Sequence, residues 1–284
     1  MEAIMIKQLK LGILNLMSNK LESIDHFNQV FKETGMPIKI TYFYPKGHYL
    51  GREIPTEVKE NMEPLELEKL QALDGFIISG SPIERHDFEE VTYIQEVRDL
   101  LSYLDEFVPN QLYICWGGMV ALNYFYGIEK QILPRKLFGV YKQTISQSSK
   151  LLQGLTPGFL ADHARYAEMN LNQIQANDKL QVVATTEENH LFLVEAKHKK
   201  QAFLFSHLEY DKDGLLKEYV RESEAHPEIT YQKPENYFED TETLTGTQYK
   251  WQQTRQVFFS NWMKQVAENK NVRRNYHEKN RKVS

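Results

Sequence analysis

Alternation of two hydrophobic patterns in the first half of the chain constrains the fold more than any other feature. Residues 10–17 form a continuous apolar run, which is typical of a parallel strand buried on both faces. In residues 20–34 the apolar side chains recur at helical spacing. The two patterns then repeat, with strands predicted at Ile38–Tyr44, 74–79 and Gln111–Ile114, and helices near 64–73, 89–104 and 116–126. This order predicts an α/β fold, a doubly wound and mostly parallel sheet flanked by helices.

The second half is predicted to complete the same domain. Short β-like runs at 180–185, 190–195 and 201–205 are expected to extend the sheet, and helices are predicted at 212–222 and 248–266. Beyond them the chain is rich in lysine and arginine with almost no apolar residues. We therefore predict one α/β domain over 1–267 and a basic, disordered tail over 268–284.

Composition and charge exclude several classes of function. The formal net charge is −5 and the pI is about 6.0, which gives no general attraction to nucleic acid or to an anionic membrane. No apolar run approaches the length of about 18 residues that would indicate a transmembrane helix, and the N-terminus carries no apolar leader with a cleavage site. Since the single cysteine also rules out a disulfide within the chain, we expect a cytoplasmic protein.

That cysteine, Cys115, lies where a predicted buried strand meets a predicted helix and is followed by Trp116, Gly117 and Gly118. A nucleophile elbow places its side chain at such a junction, where the positive end of the helix dipole favours a thiolate. A cysteine that merely fills the core at a strand end fits the local pattern equally well. The local sequence leaves both interpretations open.

A second strand end favours the catalytic interpretation. His207 and Glu209 follow the predicted strand 201–205 at positions i and i+2, so an extended or turn backbone places both side chains on one side. The carboxylate can then hold one imidazole nitrogen while the other faces a thiol. A surface histidine beside a glutamate is the alternative, but its pairing with Cys115 favours a Cys–His–Glu triad. The histidines lack the paired spacing of metal ligands, so we predict no metal site.

Several short blocks, in order along residues 10–266, carry a resemblance to a known family. They are 12–17 with Lys20, 74–82, 88–91, Cys115-Trp116, 136–140, His163, Arg165-Tyr166, 207–211, Arg221, 236–238 and 259–262. The chain resembles the homoserine O-acyltransferases (homoserine transacetylases and transsuccinylases), a branch of the class I glutamine amidotransferase-like folds. The resemblance therefore implies an enzyme that transfers an acyl group from a coenzyme A thioester to the hydroxyl of an amino acid.

The resemblance also implies roles for the triad. Cys115 would accept the acyl group in a ping-pong mechanism, His207 would act as the base, and Glu209 would fix the tautomer of His207. Backbone N–H groups of Trp116 and of the Gly80–Ser81 turn, chiefly Ser81, would stabilise the oxyanion. No bound cofactor is expected, and the acyl-CoA is a co-substrate.

Further site residues follow from the resemblance alone. Arg221 matches the position that binds the acceptor's α-carboxylate, Lys136 matches another acceptor-binding position, and Lys20 lies near the site. Glu84 matches a position that is glycine in succinyl-transferring members and glutamate in acetyl-transferring ones. Because a carboxylate there would repel the free carboxylate of a succinyl group, acetyl-CoA is the expected donor.

Departures from the family pattern gather near the acceptor. The family's Pro-His-Ser-Arg-Tyr run is Asp162-His-Ala-Arg-Tyr166 here, so Ala164 replaces a serine linked to acceptor recognition. Loss of a polar group from a buried site usually means that its partner has changed. We therefore predict L-serine as the acceptor, in cysteine biosynthesis, with L-homoserine, in methionine biosynthesis, as the alternative. With these small-molecule partners we expect a homodimer that binds neither nucleic acid nor a membrane.

Two other functions remain open on this fold. A glutaminase-type amidotransferase would use the same triad, but it usually carries a Gly-x-Cys-x-Gly motif, and Tyr113 stands where the first glycine would be. A non-catalytic binding protein is the second alternative, and an unreactive Cys115 would favour it.

Overall fold

The computed structural model describes residues 8–281, and side chains within residues 8–271. Ten strands form one sheet. The strands are β1 Leu9–Leu14, β2 Ile38–Tyr44, β3 Glu63–Pro64, β4 Gly75–Ile78, β5 Gln111–Ile114, β6 Lys130–Ile145, β7 Phe159–Met169, β8 Leu180–Thr186, β9 Leu191–Ala196 and β10 Gln201–Leu204. The helices are α1 Lys20–Glu33, α2 Thr56–Asn61, α3 Ile94–Phe107, α4 Trp116–Tyr126, α5 Leu171–Ala176, α6 Gly214–Ala225 and α7 Gln252–Arg281, and 3₁₀ turns form at Lys46–Tyr49, Leu67–Leu70, Phe88–Glu90 and Lys150–Leu152.

The sheet has the order β3-β2-β1-β4-β5-β10-β9-β8-β6-β7. Neighbours from β3 to β10 are parallel, and from β10 to β7 each neighbouring pair is antiparallel. The predicted α/β class with a mostly parallel sheet is therefore confirmed. Strands β4, β5 and β10 lie side by side, so the segments that follow them meet at one edge of the sheet.

Those three strands are buried along their whole length. Helix α4 follows β5 after one residue, and its first turn packs on the end of β4. A side chain at Gly117 would place its Cβ 2.6 Å from the carbonyl oxygen of Ile78, so only glycine allows this approach. The close packing fixes the position of residue 115 relative to the turn after β4.

The antiparallel part of the sheet is longer than the sequence predicts. Strands β6 and β7 form a hairpin of 16 and 11 residues where only motif blocks and short runs were predicted. The helix predicted near 64–73 was wrong, because β3 and the 3₁₀ turn Leu67–Leu70 occupy that segment.

The domain boundary predicted at residue 268 falls inside α7, which continues to Arg281. The Asn269 amide donates to Asn110 Oδ1 at 2.6 Å, and Lys270 Nζ lies 2.8 Å from Asp74 Oδ2. The first residues of the predicted disordered tail are thus helical and bonded to the sheet, which corrects that part of the prediction. Residues 282–284 lie outside the described range. Across the described residues no helix is both long and apolar enough to span a membrane.

Candidate active site

Cys115 occupies a strained turn between β5 and α4. Its φ and ψ are 48° and −111°, a conformation that costs a non-glycine residue about 1–3 kcal/mol. Two hydrogen bonds fix this strained backbone. The Cys115 amide donates to the Leu204 carbonyl at 2.7 Å, and the Cys115 carbonyl accepts from Met119 N–H at 3.0 Å. The backbone has the form of a nucleophile elbow, as the sequence predicts.

The imidazole of His207 meets Cys115 beside the turn that follows β4. A Cβ on Gly80 would lie 2.7 Å from His207 Cε1 and 3.3 Å from Cys115 Cβ. Glycine is therefore needed at position 80 for the two side chains to come together. The structure brings these two strand-end residues into contact, although 92 positions separate them in the sequence.

Glu209 completes the arrangement. Its Oε1 lies 2.7 Å from His207 Nδ1, which fixes the tautomer with the proton on Nδ1 and leaves Nε2 for the thiol. The His207 side chain hydrogen bonds to Cys115, and its ring stacks on Tyr210 with the centroids 4.6 Å apart. All three predicted triad residues are buried and lie in one chain of contacts.

Electrostatics at the triad favour a charged imidazole. Burial acts to lower the pKa of His207, but the Glu209 carboxylate and the Cys115 sulfur outweigh it and raise that pKa well above its usual range. The arrangement thus places a positively charged imidazole beside the sulfur of Cys115.

Two backbone amides, one in the residue after Cys115 and one in the residue after Gly80, have no acceptor within the described part of the protein. They belong to Trp116, the first residue of α4, and to Ser81 in the turn after β4. Amides at a helix N-terminus favour negative charge. Their placement is suited to an oxyanion that forms on a carbonyl attacked by Cys115.

A cleft of about 390 Å³ opens above the triad. Both Cys115 and His207 line it, and so do the predicted specificity residues Glu84, Ala164 and Arg221. The structure therefore gathers these five predicted residues around one cavity. Its volume lies within the range typical of small-molecule sites.

Glu84 is buried in the wall of this cleft. Its Oε1 accepts a hydrogen bond from Tyr166 N–H at 3.2 Å. Burial raises the pKa of this carboxyl above its usual value, and the nearby Glu218 carboxylate adds to the shift. The group is placed to oppose a second negative charge in the cleft.

Lys136 and Lys20 are not among the cleft-lining residues. The Lys136 ammonium is bound by two carboxylates of α6, at 2.5 Å from Glu218 Oε1 and 2.9 Å from Glu222 Oε1. Lys20 Nζ donates to the Asn15 carbonyl at 2.9 Å, and burial lowers its pKa to about 8. Lys136 therefore supports the wall of the cleft through two lining residues, whereas Lys20 contacts none of the lining residues through this bond.

Sequence reasoning missed the two carboxylates that hold Lys136. Glu218 and Glu222 line the cleft together with Arg221, on one face of α6. Their spacing of i, i+3 and i+4 was the available signal, since such residues share a helix face. The sequence did not show which side chain that face meets. In the described residues no three histidine, cysteine or acidic side chains cluster as metal ligands.

The sheet order and the elbow define the class, a class I glutamine amidotransferase-like fold. A solved glutamine amidotransferase from Thermotoga maritima has the same fold, with a TM-score of 0.62 and 12% identity, covering 92% of this chain and 98% of that chain. A glutamine amidotransferase from Methylobacillus flagellatus gives a TM-score of 0.61 at 12% identity, covering 91% and 95%.

The sequence model of the homoserine O-succinyltransferase family matches residues 2–272, and the chain belongs to that family. It is therefore an O-acyltransferase, which confirms the predicted resemblance. Serine O-acetyltransferases of Lactobacillus acidophilus and Lacticaseibacillus casei are each 47% identical to it, covering 94% and 93% of this chain and 99% and 97% of theirs. The homoserine O-acetyltransferase of Bacillus subtilis (strain 168) is 31% identical, covering 91% of this chain and 85% of its own.

Proposed function

We propose that this enzyme transfers an acetyl group from acetyl-CoA to the hydroxyl of L-serine through an acetyl-Cys115 intermediate. The observation that carries the proposal is the single cleft in which the thiol of Cys115 lies with Glu84 and Ala164. Glu84 favours an uncharged acyl group, and Ala164 presents no hydroxyl to the acceptor. The 47% identity to proteins named serine O-acetyltransferases supports the choice of acceptor.

The reaction has two half-reactions. The Cys115 thiolate attacks the thioester carbonyl, and the tetrahedral oxyanion is stabilised by the amides of Trp116 and Ser81. The carbon–sulfur bond to CoA then breaks, and the leaving thiolate takes the proton from His207. In the second half-reaction, neutral His207 removes the proton from the acceptor hydroxyl, whose oxygen attacks acetyl-Cys115. Cys115 leaves as the thiolate beside the imidazolium, which restores the starting state.

Arg221 is the residue that holds the acceptor in this proposal. The Arg221 side chain is 38% exposed, lines the cleft, and lies 3.9 Å from Glu218 Oε2. Its guanidinium can bind an α-carboxylate in a bidentate manner. Homoserine, longer by one methylene, is the alternative acceptor, because Ala164 is the residue proposed to discriminate against it.

Release of free CoA thiol from acetyl-CoA with L-serine or L-homoserine tests the acceptor. We expect a higher kcat/KM for serine, and Ala164→Ser is expected to shift the ratio toward homoserine. One methylene or one hydroxyl in such a site changes kcat/KM by roughly 10- to 200-fold. A higher kcat/KM for homoserine would replace the serine assignment. Release with neither would overturn both and direct the assay to succinyl-CoA and glutamine hydrolysis.

Substitution of Glu84 tests the donor. Glu84→Gln removes the charge and keeps an acceptor for Tyr166 N–H, whereas Glu84→Gly also opens space. We expect both variants to lower the ratio of kcat/KM for acetyl-CoA over succinyl-CoA by at least about tenfold, since like charges in a desolvated site cost several kcal/mol. Because the pKa of Glu84 is raised, the wild-type ratio should also fall as the pH is lowered and the carboxyl gains its proton. An unchanged ratio in both variants would remove Glu84 from donor selection.

A further inference from the structure

Asp162 lies on the same face of β7 as two cleft-lining residues. Side chains at i, i+2 and i+4 of a strand share one face, so Asp162 is in a row with Ala164 and Tyr166. Ala164 and Tyr166 line the cleft, whereas Asp162 is fully buried.

Asp162 is hydrogen-bonded to the residue that precedes His207 of the triad. Its Oδ1 accepts a hydrogen bond from Ser206 Oγ at 2.9 Å, and Ser206 directly precedes His207. Its Oδ2 has no hydrogen-bond partner within the described residues. A buried carboxylate oxygen without a donor is costly, so this oxygen is a polar group that the packing alone does not explain.

The groups around Asp162 determine when it is charged. Burial raises the pKa of this carboxyl to about 7, and the negative Glu209 adds to the effect, while His207 and the Ser206 hydroxyl oppose it. From the C-terminal segment, Tyr237 and Tyr249 are near enough to interact electrostatically with its charge. Burial raises the pKa of both phenols, that of Tyr249 to about 12, so they stay neutral near pH 7.

We propose that Asp162 is a positioning residue of the triad, which fixes the backbone of His207 through Ser206 and supplies a second buried negative charge that stabilises the imidazolium. The inference rests on the proposed roles of Cys115 and His207, and it is independent of which acyl donor and acceptor the enzyme uses. In acid the carboxyl is neutral and contributes only the hydrogen bond. As the pH rises through neutrality it ionises and makes His207 a stronger base.

The test compares Asp162→Asn with the wild type at two pH values. Asparagine can still accept from Ser206, so chiefly the charge is lost. We follow the alkylation of Cys115 by iodoacetamide, which needs neither acyl donor nor acceptor, and the rate of CoA release. The ratio of wild-type to variant rate is expected to be within about twofold at pH 6 and about five- to tenfold at pH 8.5, since one pKa unit corresponds to a tenfold change. Asp178→Asn, at an exposed aspartate, is the matched control and should change neither rate.

A ratio that is the same at both pH values would overturn the proposal, because a purely structural role lowers the rate at every pH. If Asp162→Asn does not fold, the Ser206→Ala variant is used to test the proposal instead. It removes a hydrogen bond that favours the ionised carboxylate, so the rise of the alkylation rate with pH should move to higher pH. An alkylation profile in Ser206→Ala identical to that of the wild type would also overturn the proposal. Failure of the acetyl-CoA or serine assignment would leave the alkylation result unaffected.

Discussion

Cys115→Ala is expected to lower the rate of CoA release by about 10³-fold or more, as loss of a covalent nucleophile does in other triad enzymes. The elbow, the two free amides and the cleft contribute through binding and oxyanion stabilisation, but without the sulfur no acyl-enzyme can form. Cys115→Ser is expected to be nearly as inactive, because a serine hydroxyl is not ionised by an adjacent imidazolium at neutral pH. The steady-state rate with acetyl-CoA and saturating acceptor measures the effect.

The control for this prediction is a check that the Cys115→Ala variant is still folded. Alanine keeps a Cβ in the strained conformation at position 115, so the variant should unfold at the same urea concentration as the wild type within error. Circular dichroism and the urea midpoint establish this before the rates are compared. A well-folded Cys115→Ala protein within tenfold of wild-type activity would exclude the acyl-cysteine mechanism.

Lys136→Met is expected to reduce the free energy of unfolding by about 3–5 kcal/mol, the usual result of removing one partner from a buried ion pair. The Lys136 side chain is 3% exposed and the Glu218 side chain 9% exposed. Although burial opposes its charge, the carboxylates of Glu218 and Glu222 raise the pKa of Lys136. Methionine has similar volume, but it leaves Glu218 buried without its ammonium partner. Urea denaturation of the wild type and the variant measures the loss.

Two further variants separate charge from packing. Adding Glu218→Gln to Lys136→Met should recover part of the loss, since the unpaired carboxylate is then removed. Lys59→Met breaks an exposed pair with Glu53 at 4.0 Å, and we expect a change of no more than about 0.5 kcal/mol. If Lys136→Met and Lys59→Met reduce the free energy of unfolding equally, the buried ion-pair cluster does not stabilise the folded protein more than an exposed pair does.

The parallel half of the fold could be predicted from the sequence because its signals are local. Ile38–Tyr44 and Gln111–Ile114 are strands with the predicted bounds, since each is a short apolar or β-branched run. Helix α4 has its predicted ends as well. It begins after Cys115 and stops at Gly127, whose φ of 67° ends the helix.

The antiparallel half depends on contacts between distant segments. Strand β6 contains Pro134 and exposes polar residues in its first part, so no continuous apolar run marks it. It is stabilised by pairing with β7 at residues 130–132 and 137–143, on either side of an irregularity in the register. The partners of Lys136 are likewise 82 and 86 residues away on α6, which no local pattern indicates. The proximity of Cys115, His207 and Glu209 was predictable, because each of them follows a recognisable strand.

Mass spectrometry of the protein after brief incubation with acetyl-CoA shows whether Cys115 carries the acyl group during the reaction. We predict one acetyl group per chain, located on Cys115 by peptide mapping, and its discharge faster with L-serine than with L-homoserine. An acetyl group that does not form on Cys115 would exclude the acyl-cysteine mechanism, and an acetyl group that neither amino acid removes would exclude both acceptors.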